Sequence, residues 1–243
     1  MSDLGSKRIA RGLAAAAVIG AGLCSPAGAK NPGGGARAMM NRFAACTVQR
    51  ERDFARRFVL APGLRPTPAA LEKLGPPECL RRAGEDIIEL QMRDALYRGA
   101  LAEQLIRAEM SSTAIIDPGS VPALAWPEPE RPSAVNERGR SLTAAEQRRG
   151  ELGYAEAAAD QNVMRLGECV VRADPAGSRD AVLTEMDSAN ELAKLKAMAP
   201  TIARCVARGQ TSKFNRTTLR AALAVSYYRL AAAARAVRAG GAA

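Results

Sequence analysis

The stretch Arg42-Phe43-Ala44-Ala45-Cys46-Thr47-Val48 returns in outline as Arg165-Leu166-Gly167-Glu168-Cys169-Val170-Val171, and that recurrence decides the fold. Working outward, Cys79-Leu80-Arg81-Arg82-Ala83-Gly84 returns as Cys205-Val206-Ala207-Arg208-Gly209. Arg98-Gly99-Ala100-Leu101-Ala102, closed by Arg107, returns as Arg220-Ala221-Ala222-Leu223-Ala224, closed by Arg229. The offsets are 123, 126 and 122 residues, near enough to constant for one ancestral unit with small insertions. Each copy carries two cysteines, so the repeat bears on covalent structure as well as architecture.

The N-terminus reads as a secretory signal over residues 1–29. Lys7, Arg8 and Arg11 form a charged region, Leu13 to Leu23 an apolar stretch, Ser25-Pro26 a helix break, and Ala27-Gly28-Ala29 a small-x-small cleavage site. Eleven apolar residues are too few to cross a bilayer core, which needs about 20. Leu23 stands before Cys24 where lipoprotein processing wants a small residue, which argues against a lipid anchor. Cleavage after Ala29 leaves 32 basic and 24 acidic residues, a net charge of +8, and no later stretch apolar enough to span a membrane. The expected location is the periplasm or the exterior.

Four cysteines then remain: Cys46, Cys79, Cys169 and Cys205. An even count in an exported chain suggests disulfides, with three possible pairings. The duplication selects Cys46–Cys79 and Cys169–Cys205; the alternative is four buried thiols. Each loop of about 35 residues contributes roughly 3.5 to 4 kcal/mol in the chain-entropy model.

Residues 30–37 are a glycine-rich lead-in, 38–110 a first helical unit, 111–140 a proline-rich linker and 141–239 a second unit. In the first unit, Met39, Phe43, Cys46, Phe54 and Phe58 suit one face of an opening helix. Pro62, Pro66 and Pro68 end it. Thr67-Pro68 has the form of an N-cap and first-turn proline for a short helix that Gly75-Pro76-Pro77 stops. A long helix is expected over about Glu85–Glu109. In the linker, five prolines surround the single Trp126, which either anchors the segment onto a unit or stands exposed for docking. Thr143-Ala144-Ala145-Glu146 has capping-box spacing and starts a helix with Leu152, Ala155, Ala159, Val163, Leu166 and Val170 on one side, ending by Asp174-Pro175. One or two helices fill 178–198, and Pro200 breaks the path. A last helix over about Thr217–Arg238 carries Leu219, Leu223, Ser226, Leu230, Ala233 and Val237. Asp86–Leu90 and Ser212–Asn215 have extended character, but no sustained alternation exists. The expected fold is all-α: a tandem of small disulfide-stapled helical units joined by the proline-rich linker.

The chain has no histidine, which removes Ser-His-Asp and Cys-His nucleophile systems and the commonest zinc ligand. The cysteines are too widely spaced for a CxxC redox motif or a zinc cluster. Gly33-Gly34-Gly35 lacks the strand and Gly-Lys-Ser/Thr that a phosphate loop requires, and no cofactor is expected. For a two-carboxylate hydrolase the best single residue is Glu103, in the apolar segment Ala100-Leu101-Ala102-Glu103, against the alternative of a glutamate on the solvent side of its helix. Its counterpart is Val225, and only nine aromatics are available as sugar platforms.

Arginine dominates the basic residues, with six lysines in the whole chain. Arg50, Arg52, Arg56 and Arg57 form a possible anion-binding strip toward envelope polyanions, against a solvated mixed surface broken by Glu51 and Asp53. Nucleic acid is disfavoured in an exported chain with no aromatics interleaved among the arginines. Arg98 and Arg107 are nine residues apart, hence on opposite sides of one helix, as are Arg220 and Arg229. Each is expected to meet a carboxylate or cap a carbonyl within its own unit.

A helix bearing Cys-x-Val, a second cysteine followed by glycine, and Tyr97-Arg98-Gly99-Ala100-Leu101-Ala102-Glu103 resemble a group of uncharacterised exported alphaproteobacterial proteins. The resemblance implies the architecture and export, and no activity. The expected role is a non-enzymatic binding or structural module of the cell envelope, with an envelope protein or anionic envelope component as partner. An arginine-mediated binder of anionic surfaces and a carboxylate-based cell-wall hydrolase are the alternatives.

Overall fold

The computed structural model describes residues 35–61, 72–83, 93–110, 115–136, 138–206 and 214–240. The expected signal peptide, the start of the lead-in, Pro62 to Pro68 with the Thr67 cap, the 85–92 part of the long helix, the Asp86–Leu90 stretch and residues 212–213 lie outside them. The delimited helices are α1 (Ala36–Arg50), α2 (Arg52–Leu60), α3 (Pro77–Ala83), α4 (Asp94–Glu109), α5 (Ala144–Ala173), α6 (Pro175–Leu183), α7 (Ala189–Ala197), α8 (Ala199–Cys205) and α9 (Arg216–Gly240). No strand occurs among the described residues, only an isolated bridge between Val135 and Ser141. The fold is all-helical.

Central to it is α9. Leu219, Ala222, Leu223, Ala224, Val225, Tyr227, Tyr228, Leu230 and Ala231 are all buried, so α9 is covered on every side rather than along the one stripe expected. Small residues permit this. A Cβ on Gly99 of α4 would lie 2.3 Å from the Ala221 Cβ, and one on Gly167 of α5 would lie 2.7 Å from the Ala222 backbone. Thus α9 lies backbone-close between α4 and α5, and all described residues belong to one compact unit, Pro32–Ala243.

The helices around this centre come in two similar sets. Cys46 on α1 is bonded to Cys79 on α3, and Cys169 on α5 to Cys205 on α8, with Cα–Cα separations of 5.5 and 5.8 Å. α2 packs on α4, and α6 packs on α9. The opening helix of the first set is not continuous as expected. It breaks at Glu51 (φ −124°, ψ 45°), 123 residues before the break at Asp174 (φ −148°, ψ 76°). Pro175 accounts for the second break, whereas Arg52 occupies the corresponding place in the first. Ala36 and Arg37, expected in the lead-in, already belong to α1.

α5 starts as its sequence indicates: the Thr143 amide donates to Glu146 Oε2 (2.7 Å), and the Glu146 amide donates to Thr143 Oγ1 (3.3 Å). Its apolar stripe divides. Val163, Leu166 and Val170 are buried, but Leu152 is 61% exposed and Ala155 and Ala159 face solvent. Pro200 starts α8 at its first turn instead of breaking the path, as its missing N–H allows there. Residues 115–143 form no helix among those described, and Ile116, Pro118 and Val121 pack inward.

Candidate functional site

The last carbonyls of a helix have no intrahelical donor, so a helix that ends in the core needs one from elsewhere. Arg98 and Arg220 supply it. Arg98 Nη1 donates to Phe58 O and to Ala61 O (3.1 Å) at the end of α2, with the guanidinium 3.8 Å from the Phe58 ring centroid. Arg220 Nη1 donates to Ala181 O (3.1 Å), and Nη2 to Val182 O (2.7 Å) and Thr184 O (2.8 Å), at the end of α6. Residues 58 and 61 stand 123 before 181 and 184, so the two arginines do the same job at matching positions, each in its own half as expected. Arg107 and Arg229 depart from the expectation. Arg107 reaches α6 in the other half, donating to Leu183 O (3.0 Å) and Thr184 O (2.8 Å). Arg229 Nη2 donates to Ala125 O (3.0 Å), and its guanidinium stacks 4.3 Å from the Trp126 ring centroid. The close α4–α9 crossing carries the Arg107 side chain to the far half, whereas Arg229 meets the segment between the two halves.

Glu103 is only 3% exposed, so it is not on the solvent side of α4. Arg220 grips it with Nε to Oε2 (2.8 Å) and Nη2 to Oε1 (2.7 Å), Arg107 adds a bond to Oε1 (3.0 Å), and Asn41 Nδ2 a third (3.2 Å). With both oxygens occupied by guanidinium donors, it has no place as the proton donor of a hydrolase. The fully buried Glu191 extends the network. Arg37 Nη2 donates to it at 2.7 Å, Arg220 Nη1 at 3.2 Å and the Asp187 amide at 2.9 Å. Burial pushes the Glu191 carboxyl up, but the Arg37 hydrogen bond and the charges of Arg220 and Arg37 outweigh it and hold the group below the usual carboxylate range. Burial likewise would lower Arg220, yet Glu103 and Glu191 raise it above the ordinary arginine value.

The matching place in the other half lacks the carboxylate. Four residues beyond Gly99 stands Glu103; four beyond Ala221 stands Val225. Arg98 and Arg229 therefore have no counterpart to Glu103. Arg229 is 7% exposed, and its Nη1 has no hydrogen-bond partner among the described residues. Nearby Glu168 does not supply one: its oxygens accept from the Trp126 indole (2.6 Å), the Leu124 amide (2.9 Å) and Arg172 (2.9 Å). Burial pulls Arg229 down to about 10, with Glu168 opposing and the Arg98 charge adding to the fall.

Beside this pair opens a cleft of about 800 Å³ between residues 126–133 and the exposed N-terminal half of α5. Trp126, Pro127, Pro129, Tyr154, Met164 and Arg98 are among its lining. Trp126 is half-buried and tied to both α5 and α9, which is the anchoring role; its remaining surface walls the cleft. Arg131 stacks 5.4 Å from the Tyr154 ring centroid across the opening.

The expected arginine strip lies elsewhere, on α1 and α2. Arg50 pairs with Glu78 (2.8 Å), and Arg56 with Glu109 (2.8 Å), which also accepts from the Tyr228 hydroxyl (3.0 Å). Arg57 lies over the Phe54 ring, and Arg52 is exposed with no carboxylate in ion-pair reach among the described residues. Glu191, Arg37, Glu168 and Tyr154 carry no weight in the sequence reading. Glu191 had a legible signal, since Ser188 caps α7 through the Glu191 amide (3.0 Å) at capping-box spacing.

Set against known proteins, the chain matches no family model, and no curated protein or solved structure is similar to it.

Proposed function

We propose that this chain is an exported, non-enzymatic binding module of the cell envelope, built by tandem duplication, whose binding surface is the cleft between residues 126–133 and α5. One observation carries the reading. The buried ionisable groups of the Glu103–Arg220–Glu191 network are consumed in holding helix ends together, while the cleft is walled by Trp126, Pro127 and Pro129 on one side and Tyr154 of α5 on the other, with Asp94, Glu128, Glu130 and Asp160 also in its lining. Such a wall suits recognition, because aromatic and proline side chains lose little conformational freedom on binding. The duplication is supported by the matched disulfides, the matched breaks at Glu51 and Asp174, and the matched arginine caps. The proline-rich segment is the joint between the two copies. Export is supported by the signal-like residues 1–29 and is compatible with two disulfides.

Fractionation of the native producer with N-terminal sequencing tests the location; the expected mature chain starts at Lys30, and an uncleaved chain in the cytoplasm refutes it. Pull-down from envelope extract with wild type and a Trp126→Ala/Tyr154→Ala variant tests the surface. Equal capture by both refutes the cleft.

A second reading rests on Arg52 and Arg57, which no carboxylate neutralises among the described residues. They would attract an anionic envelope surface. Retention on anionic vesicles that high salt does not weaken would argue against it.

A further inference from the structure

We propose that the Cys169–Cys205 bridge is a site of thiol–disulfide exchange with a dithiol, whereas Cys46–Cys79 is permanent, and that opening the exchangeable bridge undocks α8 from α5. Neither Cys169 nor Cys205 belongs to the lining of the cleft, so this site and the cleft stand or fall separately.

The two bridges occupy matching places in the halves, yet they differ in access. Cys46 is 5% exposed and Cys79 is fully buried, whereas Cys169 is exposed and Cys205 half-buried. Exchange needs a thiolate to reach a bridge sulfur, so access alone sets the two apart in rate.

The backing of the bridges differs as well. In the first half, Arg42 of α1 donates to Ala83 O at the end of α3 through Nη2 (2.7 Å) and Nε (3.1 Å). The buried Tyr97 hydroxyl donates to Leu74 O just ahead of α3, and lies 3.1 Å from Thr47 Oγ1 of α1. These ties are absent from the second half. Arg165, 123 residues after Arg42, pairs with Glu128 instead; Val170 and Leu219 stand where Thr47 and Tyr97 would recur. α8 packs on α5 and buries Ile202 in the core. Its Arg204 bonds within α8, to Thr201 Oγ1 (3.3 Å), and among the described residues no side-chain hydrogen bond ties α8 to α5. The covalent bridge is therefore the main hold on this helix.

The other helices in the loop that the bridge closes have holds of their own. Arg220 and Arg107 grip the end of α6, and Arg37 and Arg220 grip Glu191 of α7. Opening is thus confined to α8, a local event that costs less than global unfolding.

The exchange balances in two steps. A thiolate of the dithiol attacks the exposed Cys169 Sγ; a new S–S bond forms there as the bond to Cys205 breaks, and the electron pair leaves on Cys205 Sγ. The second thiol, once deprotonated, displaces Cys169 Sγ from this mixed disulfide. The dithiol gives up two electrons and two protons and becomes a disulfide, while Cys169 and Cys205 take them up as thiols.

The mature, oxidised protein is treated with dithiothreitol at neutral pH, and free thiols are trapped at intervals by alkylation and located by peptide mass mapping. Cys169 and Cys205 are expected to label faster than Cys46 and Cys79 by about tenfold or more. Labelling of all four in one step, or of Cys46 and Cys79 first, overturns the proposal. Partially reduced, alkylated protein is then compared with oxidised protein by circular dichroism and by tryptic cleavage after Arg204. Helical signal is expected to stay close to that of the oxidised protein, with cleavage faster by about tenfold or more, since proteolysis follows the population of the opened form. A Cys169→Ser/Cys205→Ser variant is expected to behave as the reduced protein does. Cleavage no faster than in the oxidised protein refutes the undocking, and collapse of the helical signal makes this bridge a structural one and refutes the switch.

Discussion

Replacing Gly99 by alanine adds one methyl group at the contact between α4 and α9. That Cβ would lie 2.3 Å from the Ala221 Cβ and 2.6 Å from its Cα, both in a helix with no flexible end to swing aside. Contacting carbons sit at about 3.5–4.0 Å, so the helices must part by about 1.2 Å or more. Retreat is blocked, because α9 has Gly167 of α5 against its other flank at similarly short range. Overpacking of this kind costs about 1–3 kcal/mol. The rigidity of both flanks puts Gly99→Ala at about 2–3 kcal/mol, net of the gain in helix propensity. Gly153→Ala is the control, since the same methyl on α5 meets nothing within 4 Å. It is expected to stabilise by about 0.5–1 kcal/mol through propensity alone. Urea unfolding of the oxidised protein, followed by circular dichroism, should therefore move the two midpoints in opposite directions. A Gly99→Ala midpoint at or above wild type refutes the close crossing and the account of the fold built on it.

Glu103→Gln, which leaves Arg220 and Arg107 facing a neutral amide, should destabilise by about 3 kcal/mol in the same assay. Because Glu191 sits below its unfolded value, its stabilisation is present above the ordinary carboxylate range and is lost as pH falls through that range toward the folded value. The wild-type urea midpoint should fall over that interval, and Glu191→Gln should flatten the slope. Glu146 is held down to about 2, first by the Arg140 hydrogen bond and then by the Thr143 amide and hydroxyl. Its NMR titration should show that midpoint and return toward the ordinary range in Arg140→Ala. Cys46→Ser/Cys79→Ser should cost about 3–4 kcal/mol if the loop it closes is fully free in the unfolded chain.

What is legible in the sequence is what short-range chemistry writes there. Thr143 and Glu146 are three residues apart, and their reciprocal bonds appear as the spacing indicates. The disulfide partners follow from the internal recurrence. The break at Glu51 is invisible because no proline marks it, and only the match to Asp174-Pro175 locates it. Glu103 is misread because its decisive partner, Arg220, lies 117 residues away and comes close only through the α4–α9 crossing. The stripe from Leu152 onward follows the right period on α5, yet nothing in the described residues covers its first half. Periodicity names a face; only tertiary packing says whether that face has a neighbour.

Gly99 meeting Ala221 has a further meaning. The two occupy equivalent places in the recurring halves, and a residue touches its own equivalent only on a two-fold axis. On the duplication proposed above, the single-length ancestor would have met a second copy at this glycine or alanine before the two were joined in one chain. In a homodimer both sides of the axis must carry the same residue. Two glutamates or two valines were then the available choices at the positions of Glu103 and Val225. Joined in one chain, the two sides would be free to differ, as Glu103 and the buried Val225 do.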